Sequence, residues 1–130
     1  MREIKFRAWI KDYVLMADVN FLNIDYKEIV VMIDENDYEF GCGEYELMQY
    51  TGLKDKNGRE IYEGDVYVHN VQDYVAGHPR EINFIKPVTF EMGAFWVGDM
   101  LLVDAIENDS ESKVIGNIYE NPELLEEGEK

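Results

Sequence analysis

Thr51-Gly52-Leu53-Lys54-Asp55-Lys56-Asn57-Gly58-Arg59-Glu60-Ile61-Tyr62-Glu63-Gly64-Asp65-Val66-Tyr67-Val68 decides the fold class. Three pairs in it are turn devices: Thr51-Gly52, Asn57-Gly58 and Gly64-Asp65. Glycine reaches positive φ without a steric penalty, and Asn or Asp side chains bond their own backbone. Between the turns stand Leu53, Ile61, Tyr62 and Val66, with Tyr50 just upstream, apolar and aromatic side chains of the kind strands bury. Asn57-Gly58 suits a tight type I′ turn, while the polar run Lys54-Asp55-Lys56 ahead of it predicts a longer loop. Glu63-Gly64-Asp65 predicts a sharp turn into the strand Val66-Tyr67-Val68.

Upstream, Ile4-Lys5-Phe6-Arg7-Ala8-Trp9-Ile10 alternates with period two. This puts Ile4, Phe6, Ala8 and Ile10 on one face of a half-buried strand and Lys5, Arg7 and Trp9 on the other. Asp12-Tyr13 turns it back into Val14-Leu15-Met16 as an N-terminal hairpin. Residues 21–33, rich in Ile, Val and Tyr, predict one strand or a pair interrupted near Asp25. The polar run Asp34-Glu35-Asn36-Asp37 and the flexible Gly41-Cys42-Gly43 mark residues 34–43 as a boundary. Tyr45 to Thr51 is then a strand entering the second portion.

Downstream, residues 69–83 hold both histidines, Gly77 and Pro79 without periodicity, and predict a mobile loop. Ile85 to Phe90 and Ala94 to Val97 are strands about a Met92-Gly93 turn. Asp99 to Glu107 suits a strand or a short helix equally, and Lys113 to Tyr119 is a final strand. Asn121-Pro122-Glu123 starts a helix over about 122–127, because Asn caps free N–H groups, Pro is tolerated at the first position and Glu meets the positive dipole end. The fold class is therefore mainly β. Residues 1–43 form an N-terminal β extension, 44–121 the main β portion, and 122–130 a short helix with an acidic tail.

Twenty-eight acids against twelve bases leave a net charge of −16. It is uneven: −6 over residues 1–50, −1 over 51–90 and −9 over 91–130. Affinity for phosphate backbones comes largely from Lys and Arg releasing counterions, so direct nucleic-acid binding is disfavoured, with Lys54, Lys56 and Arg59 the only local exception. The 17 aromatic residues exclude a disordered chain. A lone cysteine, Cys42, allows no internal disulfide and suits a reducing cytoplasm. The opening residues carry no apolar signal core, and no run reaches the ~18 apolar residues of a membrane span.

Each hint of chemistry meets a plainer account. A calcium loop starting at Asp34 would want Gly at 39 and an acid at 45, where Glu39 and Tyr45 stand. His69, Asp73 and His78 are competent zinc ligands at a spacing that matches no recognised pattern. Cys42 between two glycines is accessible but has no neighbouring base or cation in sequence. Ser110-Glu111-Ser112-Lys113 has Ser-x-x-Lys spacing without the accompanying motifs. Phe6, Trp9, Tyr50, Tyr62, Tyr67, Phe90, Phe95, Trp96 and Tyr119 could stack bases, yet such side chains more often close small β domains. No catalytic, cofactor-binding or metal-ligating residue is assigned, and no cofactor or enzymatic activity is expected.

Three segments together resemble the YopX family of uncharacterised proteins of phages and prophages of Gram-positive bacteria: Ile4 to Trp9, Leu47 to Asp65, and Val114-Ile115-Gly116-Asn117-Ile118-Tyr119-Glu120-Asn121-Pro122-Glu123-Leu124-Leu125. Ile10 stands where that family favours a polar residue, and 69–83 and 99–112 carry no family signature. The resemblance implies a β-rich fold containing a small SH3-like barrel and a phage or prophage origin. It implies no reaction or catalytic residue. The expected role is that of an accessory protein acting by protein–protein contact in the bacterial cytoplasm, as a homo-oligomer. The alternative is an acidic DNA mimic that inhibits a host DNA-binding protein, since acids concentrate after residue 91.

Overall fold

The computed structural model describes residues 3–109 and 111–128. Its elements are β1 (Phe6–Ile10), β2 (Leu15–Asn23), β3 (Glu28–Ile33), β4 (Asn36–Phe40), β5 (Tyr45–Lys54), β6 (Glu60–Tyr62), β7 (Asp65–Val75), β8 (His78–Glu91), β9 (Ala94–Val97), β10 (Met100–Leu101), α1 (Leu102–Asn108), β11 (Lys113–Asn117) and α2 (Glu123–Gly128). The chain is mainly β, with antiparallel sheets and a short C-terminal helix. Contacts divide it between Tyr50 and Thr51, inside β5, where the sequence reading places the boundary after residue 43.

In the first unit the strand order is β4-β3-β2-β1-β5. β1 pairs with β2 through Ala8↔Ala17 and with β5 through Ala8↔Leu47, which puts the alternating apolar residues of β1 on one face. Ala8, Ile10, Ile29 and Val31 are fully buried there, with Ala17 and Phe40 in the same cluster. Arg7, on the opposite face, is buried too, and its Nη2 donates to Met48 Sδ at 3.8 Å. The predicted boundary 34–43 is part of this unit. Asp34 and Glu35, at φ 50° and 68°, form the turn that returns β3 into β4.

In the second unit, β6 follows β5, and a five-stranded antiparallel sheet runs in the order β10-β9-β8-β7-β11. Its core is Ile61, Tyr67, Val88, Val97, Leu102, Ala105 and Val114. The order ends on β10 and β11, so no pairing closes a barrel among the described residues. The ambiguous stretch 99–107 resolves into both candidates: two residues of β10 followed by α1, which seats Leu102 and Ala105 in the core.

Residues 69–83 are a correction to the sequence reading. They form a hairpin arm in which β7 and β8 pair continuously from Val66↔Pro87 to Val75↔His78. Ala76 and Gly77, at φ 53° and 81°, make the two-residue turn. β11 flanks β7 only over Asp65–Val68, and β9 flanks β8 only over Val88–Glu91. Beyond those limits the described side chains from Gln72 to Glu81 are exposed on both faces, and a strand buried on neither face shows no alternation. Both prolines of β8 obey the ladder. With Val75↔His78 as the closing hydrogen-bonded pair, Pro79 and Pro87 fall at alternate positions whose backbone nitrogens face away from β7.

Candidate functional site

Where the arm leaves the body, β7 carries one more inward-facing side chain past the core. Tyr67 is fully buried, and His69, two residues on and on the same face, is 6% exposed. Phe84, its partner across the ladder, stacks on the imidazole at 5.3 Å between centroids and 18° between planes. Burial pushes the His69 pKa below the ordinary histidine range, partly opposed by the Asp109 carboxylate. The ring is therefore neutral at pH 7. Its Nδ1 is sealed from solvent and has no hydrogen-bond partner among the described residues.

His69 forms a wall of three adjoining depressions. One, of about 520 Å³, lies between the arm and α1 and includes Glu81, Met100, Ala105, Asp109 and Glu111 in its walls. Its framework is fixed by backbone hydrogen bonds. Asn70 N donates to Asp109 Oδ2 at 2.6 Å and Glu111 N to Asp109 Oδ1 at 2.9 Å, which ties the segment after α1 to the open edge of β7. Beneath it Ser112 Oγ lies 2.6 Å from the Tyr67 hydroxyl and within reach of the carbonyls of Ala105 and Asp109. Carbonyls only accept, so Ser112 donates to one of them and the Tyr67 phenol donates to Ser112. Burial raises the Tyr67 pKa, in agreement with a neutral phenol.

The residues weighed for chemistry do not assemble. His69 and His78 lie on the arm six ladder steps apart, roughly 20 Å at the rise of a strand, with His78 exposed at the tip. Asp73 pairs with Arg80 between them. No three potential ligands cluster for a metal among the described residues. Cys42 is exposed in a turn closed by Glu44 N donating to Gly41 O. Ser110 lies outside the described residues. The aromatic set is dispersed: Tyr50, Tyr62 and Tyr67 are buried, Phe90 is exposed, and the rest are half-buried in two different units.

The sequence motifs themselves serve local architecture. Asp55 is buried, its Oδ1 accepting from Asn57 N and Arg59 N at 2.9 Å each and its Oδ2 from Val114 N at 3.1 Å. The loop before β6 and strand β11 thus share one carboxylate. Asp65 Oδ2 accepts from Tyr62 N across the Glu63-Gly64 turn. Asn117 Oδ1 accepts from Tyr119 N and Glu120 N, while Asn121 Oδ1 accepts from Asn117 N. A Cβ on Gly116 would stand 2.5 Å from Asn121 Oδ1, so only glycine fits there. The His69 depression, by contrast, uses residues from outside these motifs. Its sequence signal was the continuation of the Tyr67-x-His69 alternation and the Ala76-Gly77 turn.

No curated protein matches the chain. Among solved structures, the crystal structure of protein EF1440 from Enterococcus faecalis is similar at 30% sequence identity, covering 96% of this chain and 99% of that one with a TM-score of 0.66. The family model described as YopX protein matches residues 5–126. The match extends from the β1 pattern to the helix that follows Asn121, and by it the chain belongs to the YopX family.

Proposed function

We propose that this chain is a phage or prophage accessory protein that works in the bacterial cytoplasm by protein–protein contact, as a homo-oligomer, and performs no catalytic step. The observation that carries this reading is the β7–β8 arm. From Asn70↔Asn83 to Val75↔His78 it stands without a third strand among the described residues, and Tyr74 and Val75 are 68% and 47% exposed. A two-stranded ribbon is marginal in water on its own, so a long one favours use as a contact element. Charge points the same way. Residues 70–84 carry only Asp73, Glu81 and Arg80, so two copies of a −16 chain repel least where their arms meet.

A second reading, mimicry of DNA toward a host DNA-binding protein, is favoured by the −9 charge of residues 91–130. Affinity capture of the tagged protein from infected cells, with mass spectrometry, separates the two. Recovery of phage components or of the protein itself supports the accessory role. A host DNA-binding enzyme eluted by moderate salt supports mimicry. Light scattering that returns only monomer at high concentration would remove self-association.

A further inference from the structure

We propose that the outer face of the β2–β3–β4 strands in the first unit docks a basic amphipathic helix of a partner protein, and this rests on the protein-contact reading. The strand register defines the face. Phe21 pairs with Val30 and Val30 with Glu39, on the side opposite Ile29 and Val31 of the core. Met32, two residues along β3, lies on the same side as Val30. Phe21 and Met32 are 60% and 54% exposed, and Val30 is half-buried. The pairing of β2 with β3 stops at Val19↔Val31, and beyond it Met16 and Met32 both stand in the walls of a depression of about 520 Å³. Large apolar side chains gathered on one face, beside a concavity that can seat another, are the features of a contact surface.

Charge selects the occupant. Asp18, Asp37 and Glu39 stand on this side of the strands, all exposed and without an ion pair among the described residues, and Asp34 and Glu35 are in the walls of the depression. The one base among the strand residues of this side, Arg7, is buried. A partner that covers Phe21 and Met32 with apolar side chains must therefore bring lysines or arginines to the rim. A second copy is the poorer occupant. Two such faces would set the same carboxylates against each other, and neither α1 nor α2 contains a lysine or arginine. The same carboxylates repel an anionic lipid surface. A helix is the form that fits, because Val30 is paired on both sides and the centre of the face has no backbone group to lend. A docking segment has to satisfy its own backbone, as a helix does. The two methionines adapt to whatever side chains such a helix presents.

The test uses the intact chain with isotope-labelled methionine methyls, read by NMR. The probe is a synthetic helix of about 14 residues, roughly four turns, with leucines on one face and lysines on the other. Saturable shifts at Met16 and Met32 are expected, with a Kd on the order of 10 μM. Met92, 89% exposed, reports indiscriminate adsorption and should not move. The same peptide with glutamates for lysines, or with serines for leucines, should produce no shift. Phe21→Ser/Met32→Ser, read at Met16, should weaken binding by about tenfold or more. Asp37→Asn/Glu39→Gln should weaken it roughly four-fold in 0.15 M salt. All four positions are exposed, so these variants keep the fold.

No saturable shift, equal binding of the glutamate peptide, or a Met92 shift as large as that of Met32 would overturn the proposal. Met16 and Met32 signals that move with protein concentration alone would reassign the face to a second copy, and signals that answer phosphatidylglycerol vesicles but not the lysine peptide would reassign it to lipid. Either result overturns the helix. Capture from infected cells is repeated with Phe21→Ser/Met32→Ser. Recovery of the same partners by wild type and variant removes the docking face and leaves the protein-contact reading standing. Failure of both captures while the lysine peptide binds removes that reading and leaves the face.

Discussion

Replacing Asp55 with Ala should be among the most damaging single changes in the second unit. The carboxylate takes three backbone N–H groups, and the bond to Val114 N spans 59 residues of sequence. Hydrogen bonds to a charged acceptor contribute about 1.5–3 kcal/mol each where the donor cannot rehydrate, and a donor left buried costs about 1–3 kcal/mol. Asn57 N and Arg59 N lie in a loop that water can reach. Val114 N does not, because Val114 is in the core cluster. The sum is about 3–4 kcal/mol for Asp55→Ala. Asp55→Asn should cost about 2 kcal/mol, since an amide oxygen still serves the loop while its NH2 faces the Val114 N–H. Urea unfolding followed by Trp96 fluorescence in a Trp9→Phe background measures both. A loss under about 1 kcal/mol for Asp55→Ala would refute the shared-carboxylate account, and so would an Asn variant as unstable as the Ala variant.

Gly116→Ala should destabilise by about 1–3 kcal/mol through overpacking against Asn121, and Asn121→Ala should reduce that penalty in a double-mutant cycle. Because burial holds His69 neutral, the native state resists its protonation. The stability it contributes is present above pH ~6.5 and declines as pH falls below, by at most ~1.4 kcal/mol per pH unit, and urea midpoints at pH 7.5 and 5.5 for wild type and His69→Gln measure the difference. Tyr67 has the opposite sign: its raised pKa gives stability that is complete below pH ~10 and is lost above it, and Tyr67→Phe should remove that alkaline limb. Ala76→Asn, which places a residue tolerant of positive φ ahead of Gly77, should stabilise the arm by about 0.5–1 kcal/mol, read as slower amide exchange over 72–81.

What the sequence revealed depended on alternation of residue type. Period two is visible in Ala8 and Ile10 of β1, in Met48 and Tyr50 of β5, and in Val114 and Gly116 of β11, even though the Arg7 face of β1 is buried as well. The Met92-Gly93 turn was legible from its glycine, which takes φ 77°. The arm was not, because its outer half is exposed on both faces and leaves no alternation to read. The boundary at 34–43 was misplaced for a related reason. Asp34-Glu35 is polar because it is a hairpin turn, and Asn36 and Asp37 are polar because most of β4 faces water. Position 69 was noticed for its residue type and set beside the wrong histidine, since only the ladder register shows that His78 belongs to the tip. Nothing in the spacing of Glu81, Asp109 and Glu111 brings them to one place; the fold alone does.

The two prolines of β8 limit how the arm can grow. Each removes an N–H from the margin facing away from β7, at Pro79 near the tip and Pro87 near the root, so that margin is a broken template for a further strand. Fibril growth by strand addition requires two competent margins on every molecule, one to receive and one to offer. The β7 margin keeps its donors, so a further strand is accepted more readily there than on β8, where two of the outward positions have none. Strand addition to the arm is thus made one-sided in preference, which penalises the repeated two-sided extension that open-ended growth needs.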